Sequence, residues 1–160
     1  MYIARVLRLL GRCDRLRHFS VVLGLALVVC AQDARAIFIV NQPWVRPGPQ
    51  GGSTEAYMDL TSTEGAALTA ASSTIATVAI RDKRAKAGRL SLPAGVMVRL
   101  APGGNRLSLS KLAREVRLGE RVTLTLTIES PDGSRQEIPV TAEARLRSPL
   151  DDERRAHGAH

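Results

Sequence analysis

Hydrophobic and polar positions alternate with a period of two in several short runs, and no segment shows the 3.6-residue stripe of a long amphipathic helix. The clearest run is Arg121-Val-Thr-Leu-Thr-Leu-Thr-Ile-Glu129. It predicts a half-buried strand with Val122, Leu124, Leu126 and Ile128 inward and Thr123, Thr125 and Thr127 outward. Ser130-Pro-Asp-Gly133 is a strong turn signal, and Arg135–Ala142 returns as the hairpin partner with Ile138 and Val140 inward. Pro139 removes a backbone donor, so that strand is expected at an edge or with a bulge.

A central stretch from Leu92 to Leu112 carries two more alternating segments, Val96–Leu100 and Asn105–Leu112, around Ala101-Pro-Gly-Gly104. The second places Leu107 and Leu109 on one face and Arg106, Ser108 and Ser110 on the other. Upstream, Ile37–Val40, interrupted by Pro43 on the way to Trp44-Val45, predicts a first strand, and Ala56–Leu60 another. Leu68–Ser73 and Ile75–Ile80 are weaker strand segments. Pro47–Ser53 forms a loop or bend, and the charge run Arg81–Arg89 forms a solvated hairpin loop. Short strands separated by Pro/Gly turns predict an all-β fold, a single-domain sandwich.

The ends differ from this pattern. Arg5, Arg8, Arg12, Arg15 and Arg17 precede an apolar stretch, Phe19–Ala31, followed by Ala34-Arg35-Ala36. This is the layout of a signal peptide covering residues 1–36, too short in its apolar part for an ordinary bilayer span. A lipid anchor at Cys30 would put the bulky Val29 where a small residue is expected. Export to the periplasm or medium follows, with no stable membrane span after cleavage. The folded domain then occupies residues 37–146, and the charged segment 147–160 is an expected mobile tail.

Composition narrows the chemistry. Of the formal charge of +8, half lies in the leader, which holds six Arg against two Asp, so a polyanion-binding role has little support. No aromatic residues interleave with the basic run, so nucleic acid is not an expected partner. Both cysteines, Cys13 and Cys30, are in the leader, and the exported chain keeps only His157 and His160 as histidines. No serine has a core histidine to activate it, and Asp59 and Asp82 stand as isolated acids, so the chain is not expected to be an enzyme. His157 and His160 are possible ligands of one weakly held metal ion on the tail. Trp44 is expected as a core plug, and Met58 and Met97 as core residues.

Matched in order and spacing, Trp44, Arg46, Pro49, Gly51, Ala56-Tyr57-Met58 and Leu60 are followed by Leu92-Pro-Ala-Gly95, Pro102-Gly-Gly104, Leu107, Leu109 and Leu112, and then by Gly119, Val122, Leu124 and Leu126. Over roughly Val40–Val140 the chain resembles the periplasmic copper chaperones of the PCu(A)C type. The resemblance implies a cupredoxin-like, Greek-key β-sandwich and a Cu(I) site of two histidines and two methionines serving cytochrome c oxidase. It places two of those ligands on Arg106 and Ser108, an earlier histidine on Arg81, and the remaining methionine in a shortened segment around Lys83–Gly88. The expectation is therefore an exported accessory or binding module related to copper chaperones, without the usual copper site or another cofactor. Its partner would be an unknown periplasmic protein, with Arg81 and Arg106 contacting that partner or an anion. The alternative is a chaperone that does carry Cu(I) to oxidase assembly.

Overall fold

The computed structural model describes residues 37–83 and 88–151. Strict alternation in Arg121–Glu129 produces a strand over those same residues, with Val122, Leu124, Leu126 and Ile128 buried. Numbered along the chain, the strands are β1 (Phe38–Val45), β2 (Ser53–Ser62), β3 (Ala66–Ser72), β4 (Thr77–Arg81) and β5 (Leu90–Leu92). They continue with β6 (Val98–Leu100), β7 (Arg106–Ser110), β8 (Arg121–Glu129) and β9 (Arg135–Ala144).

The strands hydrogen-bond in the order β4-β7-β2-β1-β9-β8-β3-β5, with β6 also on β2. Every pairing is antiparallel except a short parallel contact of β1 with β9 at Trp44–Glu143 and Val45–Ala144. That contact joins a layer around β2 to a layer around β8. The two enclose one core that includes Val45, Met58, Leu60, Leu68, Leu107, Leu109, Leu124 and Leu126. Because β3 and β4 lie alongside each other, the sheet nearly closes on itself as a cupredoxin-like β-sandwich.

Strand β2 is the hub of the first layer. One edge pairs with β1; the other is shared, Ser53–Ala56 pairing with β7 and Met58–Leu60 with β6. With partners on both edges and side chains covered on both faces, its residues from Ala56 to Leu60 are all buried. Asp59 is therefore not an isolated surface acid. It is 8% exposed and takes both the Nε (2.9 Å) and Nη2 (3.0 Å) bonds of Arg99 across the β2–β6 ladder.

Pro43 does not end β1. The strand absorbs it in a bulge between Asn41 and Trp44, where Gln42 takes a left-handed φ of 48°. Past the bulge Val45 joins the core, while Trp44, expected as a core plug, is buried on the opposite face against Tyr57. Pro139 sits on β9 opposite Thr125 in an unbroken register, and β1 covers only the far end of β9. Its missing donor therefore points along an open edge. The segment Val96–Leu100 is a strand only from Val98, and Val96 and Met97 are half exposed. Met97 is thus a surface residue, whereas Met58 lies in the core as expected. After β9, a helical turn starts at residue 149, with Ser148 as its cap: its Oγ accepts from Leu150 N (3.3 Å) and Pro149 fills the first turn.

Leu126 is fully buried at the centre of β8. Leu126→Ala should lower the unfolding free energy by roughly 2–5 kcal/mol in urea titrations with an unchanged slope. Thr123→Ala on the exposed face of the same strand should cost less than about 1 kcal/mol.

Candidate functional site

The outer face of β4-β7-β2 gathers the residues that the sequence singled out. The β4–β7 register places Arg81 directly opposite Arg106, so these two residues, 25 positions apart in the chain, are cross-strand neighbours. Ser108 lies between Ala79 on β4 and Glu55 on β2. Directly opposed residues share a face, so Leu107 and Leu109 fill the core beneath while Arg106, Ser108 and Glu55 face outward.

These side chains are tied to one another. Arg106 Nε donates to Glu55 Oε1 at 2.8 Å, and Arg106 Nη1 donates to the Gly104 carbonyl at 3.1 Å. The Tyr57 hydroxyl donates to Glu55 Oε2, so each carboxylate oxygen of Glu55 has a donor. Tyr57 is fully buried; its ring tilts against Trp44 with centroids 4.5 Å apart, and the Arg46 guanidinium lies 5.8 Å from its centroid. The lone tryptophan therefore does have an aromatic partner, brought from the next strand. Burial raises the Tyr57 pKa well above that of an ordinary phenol, and the hydrogen bond to Glu55 and its negative charge push it the same way.

The donor chemistry here does not suit Cu(I), which favours thioether, thiolate and imidazole ligands. Arg106 offers only N–H donors, Ser108 a neutral hydroxyl, and the acceptor nearest them, Glu55, is already engaged. Among the described residues no group of three or more His, Cys, Asp or Glu side chains could hold a metal ion. His157 and His160 lie outside the described residues, as does most of the Lys83–Gly88 segment. The network itself was not legible in the sequence. Glu55 and Tyr57 are two apart on a strand, the spacing that puts both on one face, but the link to Arg106 exists only through strand pairing.

Comparison with solved structures places this architecture among PCuAC domains. The chain resembles the apo PCuAC domain from PmoF1 at 21% identity and a TM-score of 0.57, covering 68% of this chain and 94% of that one. It resembles the copper-bound PCuAC domain from PmoF2 at 20% and 0.54, over 68% and 93%. It also resembles the Cu(I) form of DR1885 from Deinococcus radiodurans at 23% and 0.50, over 72% and 85%. At such identities the likeness is one of fold. No curated protein sequence matches the chain. The profile of the LpqE-like family, described as lipoproteins, matches residues 39–142, and the chain belongs to that family.

A buried phenol bonded to a carboxylate has a measurable signature. The chain's two tyrosines are Tyr2 and Tyr57, so Tyr2→Phe isolates Tyr57. Its tyrosinate absorbance should stay flat as pH rises through the ordinary value of 10.0, and Glu55→Gln should bring ionisation to lower pH. The folded state holds this proton more tightly than the unfolded state. The associated stability is therefore complete below the ordinary phenol pKa and is lost as pH climbs through the raised one.

Proposed function

We propose that this chain is an exported, cupredoxin-like accessory module that engages a protein partner through the β4-β7-β2 face. On this reading it does not hold Cu(I) by the arrangement that the PCu(A)C resemblance implies. The observation that carries it is that Arg106, at one of the positions where that resemblance puts a ligand, is bound into a network with Glu55 and Tyr57. A guanidinium repels a metal cation, and displacing it would leave the half-buried Glu55 carboxylate without its charged partner. Arg81 beside Arg106 adds a second cationic group to the same face, which suits a partner presenting acidic side chains.

Export is supported by the basic, apolar and small-residue order of the leader and by membership of a family described as lipoproteins. The family description also raises the standing of Cys30 as a lipid-anchor position, against the expectation of cleavage after Ala36. Among the described residues no helix is long and apolar enough to cross a membrane. A role in binding is supported by the likeness to PCuAC domains.

The competing reading is a copper chaperone whose ligands come from elsewhere, for which His157, His160 and the exposed thioether of Met97 are the available donors. Anaerobic Cu(I) titration of residues 37–160 against a competing chelator separates the two. The accessory reading expects no tight one-to-one binding, and any weak uptake should vanish on truncation after Leu150. Tight stoichiometric binding that survives truncation would establish a Cu(I) site within the sandwich and sink the proposal.

A further inference from the structure

Among the described residues six large apolar side chains are exposed, and they divide between the two ends of the sandwich. Four sit where the domain begins: Ile37 and Ile39 at the start of β1, and Val96 and Met97 in the loop that leads into β6. The end of β2 holds the two pairs side by side. Ile37 N donates to Thr63 Oγ1 at 3.0 Å, and Gly95 N donates to the Ser62 carbonyl at 2.8 Å. Phe38 and Val40, the alternate positions of the strand, pack against the core, so the two isoleucines face away from it. Leu118 and Leu146 lie at the other end, where Gly119 N donates to the Ala144 carbonyl and Arg145 N to that of Val45, the last residue of β1. The eight residues of β1 separate the two ends by roughly 25 Å.

Single exposed apolar residues are ordinary, but four gathered on one rim mark a contact surface. What covers this rim follows from the chain that leads into it. Ala36 joins directly onto Ile37, and Cys30 precedes Ile37 by seven residues in a family described as lipoproteins. Seven residues reach at most roughly 25 Å, so a lipid on Cys30 brings the Ile37 end of the domain to the bilayer first. The tether makes that contact intramolecular, and a weak apolar contact then suffices to orient the domain. The turn out of β2, Thr63-Glu-Gly65, contributes a carboxylate and no basic group, so anionic head groups are not what attracts the rim.

We propose that Ile37, Ile39, Val96 and Met97 form a lipid-contact rim that seats this end of the domain on the membrane to which Cys30 tethers it. The inference rests on the anchored form of the exported module and is independent of what the β4-β7-β2 face binds.

The test uses the full chain carrying Met97→Cys, expressed with its leader in a bacterium that processes lipoproteins and reconstituted into phosphatidylcholine vesicles. The substitution supplies the one free thiol of the lipidated chain, since Cys13 leaves with the leader and the Cys30 sulfur carries the lipid. An environment-sensitive label there should be quenched by lipid spin-labelled near the head group, whereas the same label on Leu118→Cys should not. Adding Ile39→Ser and Val96→Ser, both at exposed positions, should remove most of the quenching while Trp44 emission stays that of the folded chain. Phosphatidylglycerol in the vesicles should change the quenching by less than about twofold. Mass spectrometry reads the anchor separately. An exported chain that starts at Ile37 without lipid overturns the anchored form and this inference with it. A lipidated chain with no quenching at position 97, or with equal quenching at position 118, overturns the rim alone. Shielding of the label that grows with protein concentration in the absence of lipid also overturns it and assigns the rim to a second copy.

Discussion

The pairing of β2 along both of its edges is the constraint from which the rest of the structure follows. Its backbone groups have partners along most of its length, so its register cannot slip by one residue without exposing Ala56, Met58 and Leu60. That fixed register sets three things at once. Glu55 comes opposite Ser108 and within reach of Arg106; Tyr57 comes opposite Trp44; and Asp59 comes opposite Arg99. Glu55 and Asp59 therefore lie on the same outward face of one strand, with Tyr57 between them packed against Trp44. The division of the second edge between β7 and β6 sends the first site toward β4 and the second toward the Pro102 turn.

What was legible in the sequence is what depends on residue period and turn chemistry. β8 declares itself because four branched apolar residues alternate with threonines, and β7 because Leu107 and Leu109 must go inward. The missing N–H of Pro139 left an edge or a bulge as the choices, and the part of β9 that β1 does not reach supplies the edge. What escaped depends on partners distant in sequence. Asp59 looks solitary along the chain because Arg99 lies 40 residues away. Trp44 looks solitary because Tyr57 arrives on the next strand. The juxtaposition of Arg81 and Arg106 is invisible without the β4–β7 register. Val96 and Met97 misled for a different reason: their alternation continues that of Val98–Leu100, but β2 supplies pairing partners only from Leu60 inward.

The electrostatic logic of the two sites differs although each contains an arginine and a carboxylate. In the Asp59–Arg99 pair the carboxylate is almost wholly enclosed, with a side-chain exposure of 11% against 45% for Arg99. Its second oxygen is matched by a second guanidinium nitrogen, the geometry that best repays the loss of hydration. Glu55 instead divides its oxygens between a charged donor and a neutral one, Arg106 and Tyr57. This spreads one negative charge over a guanidinium and a phenol, and it anchors the phenol against the Trp44 ring.

That division sets what the outer face of β4-β7-β2 presents. Here the permanent cation of Arg106 occupies the outward position on β7, and Glu55, one strand over, balances it. The β-ladder supporting the residues is indifferent to which arrangement sits on its outer face, since Leu107, Leu109 and Ile80 pack the core beneath in either case. The fold therefore constrains the inward positions of these strands tightly and the outward ones, which define what the face presents, much less.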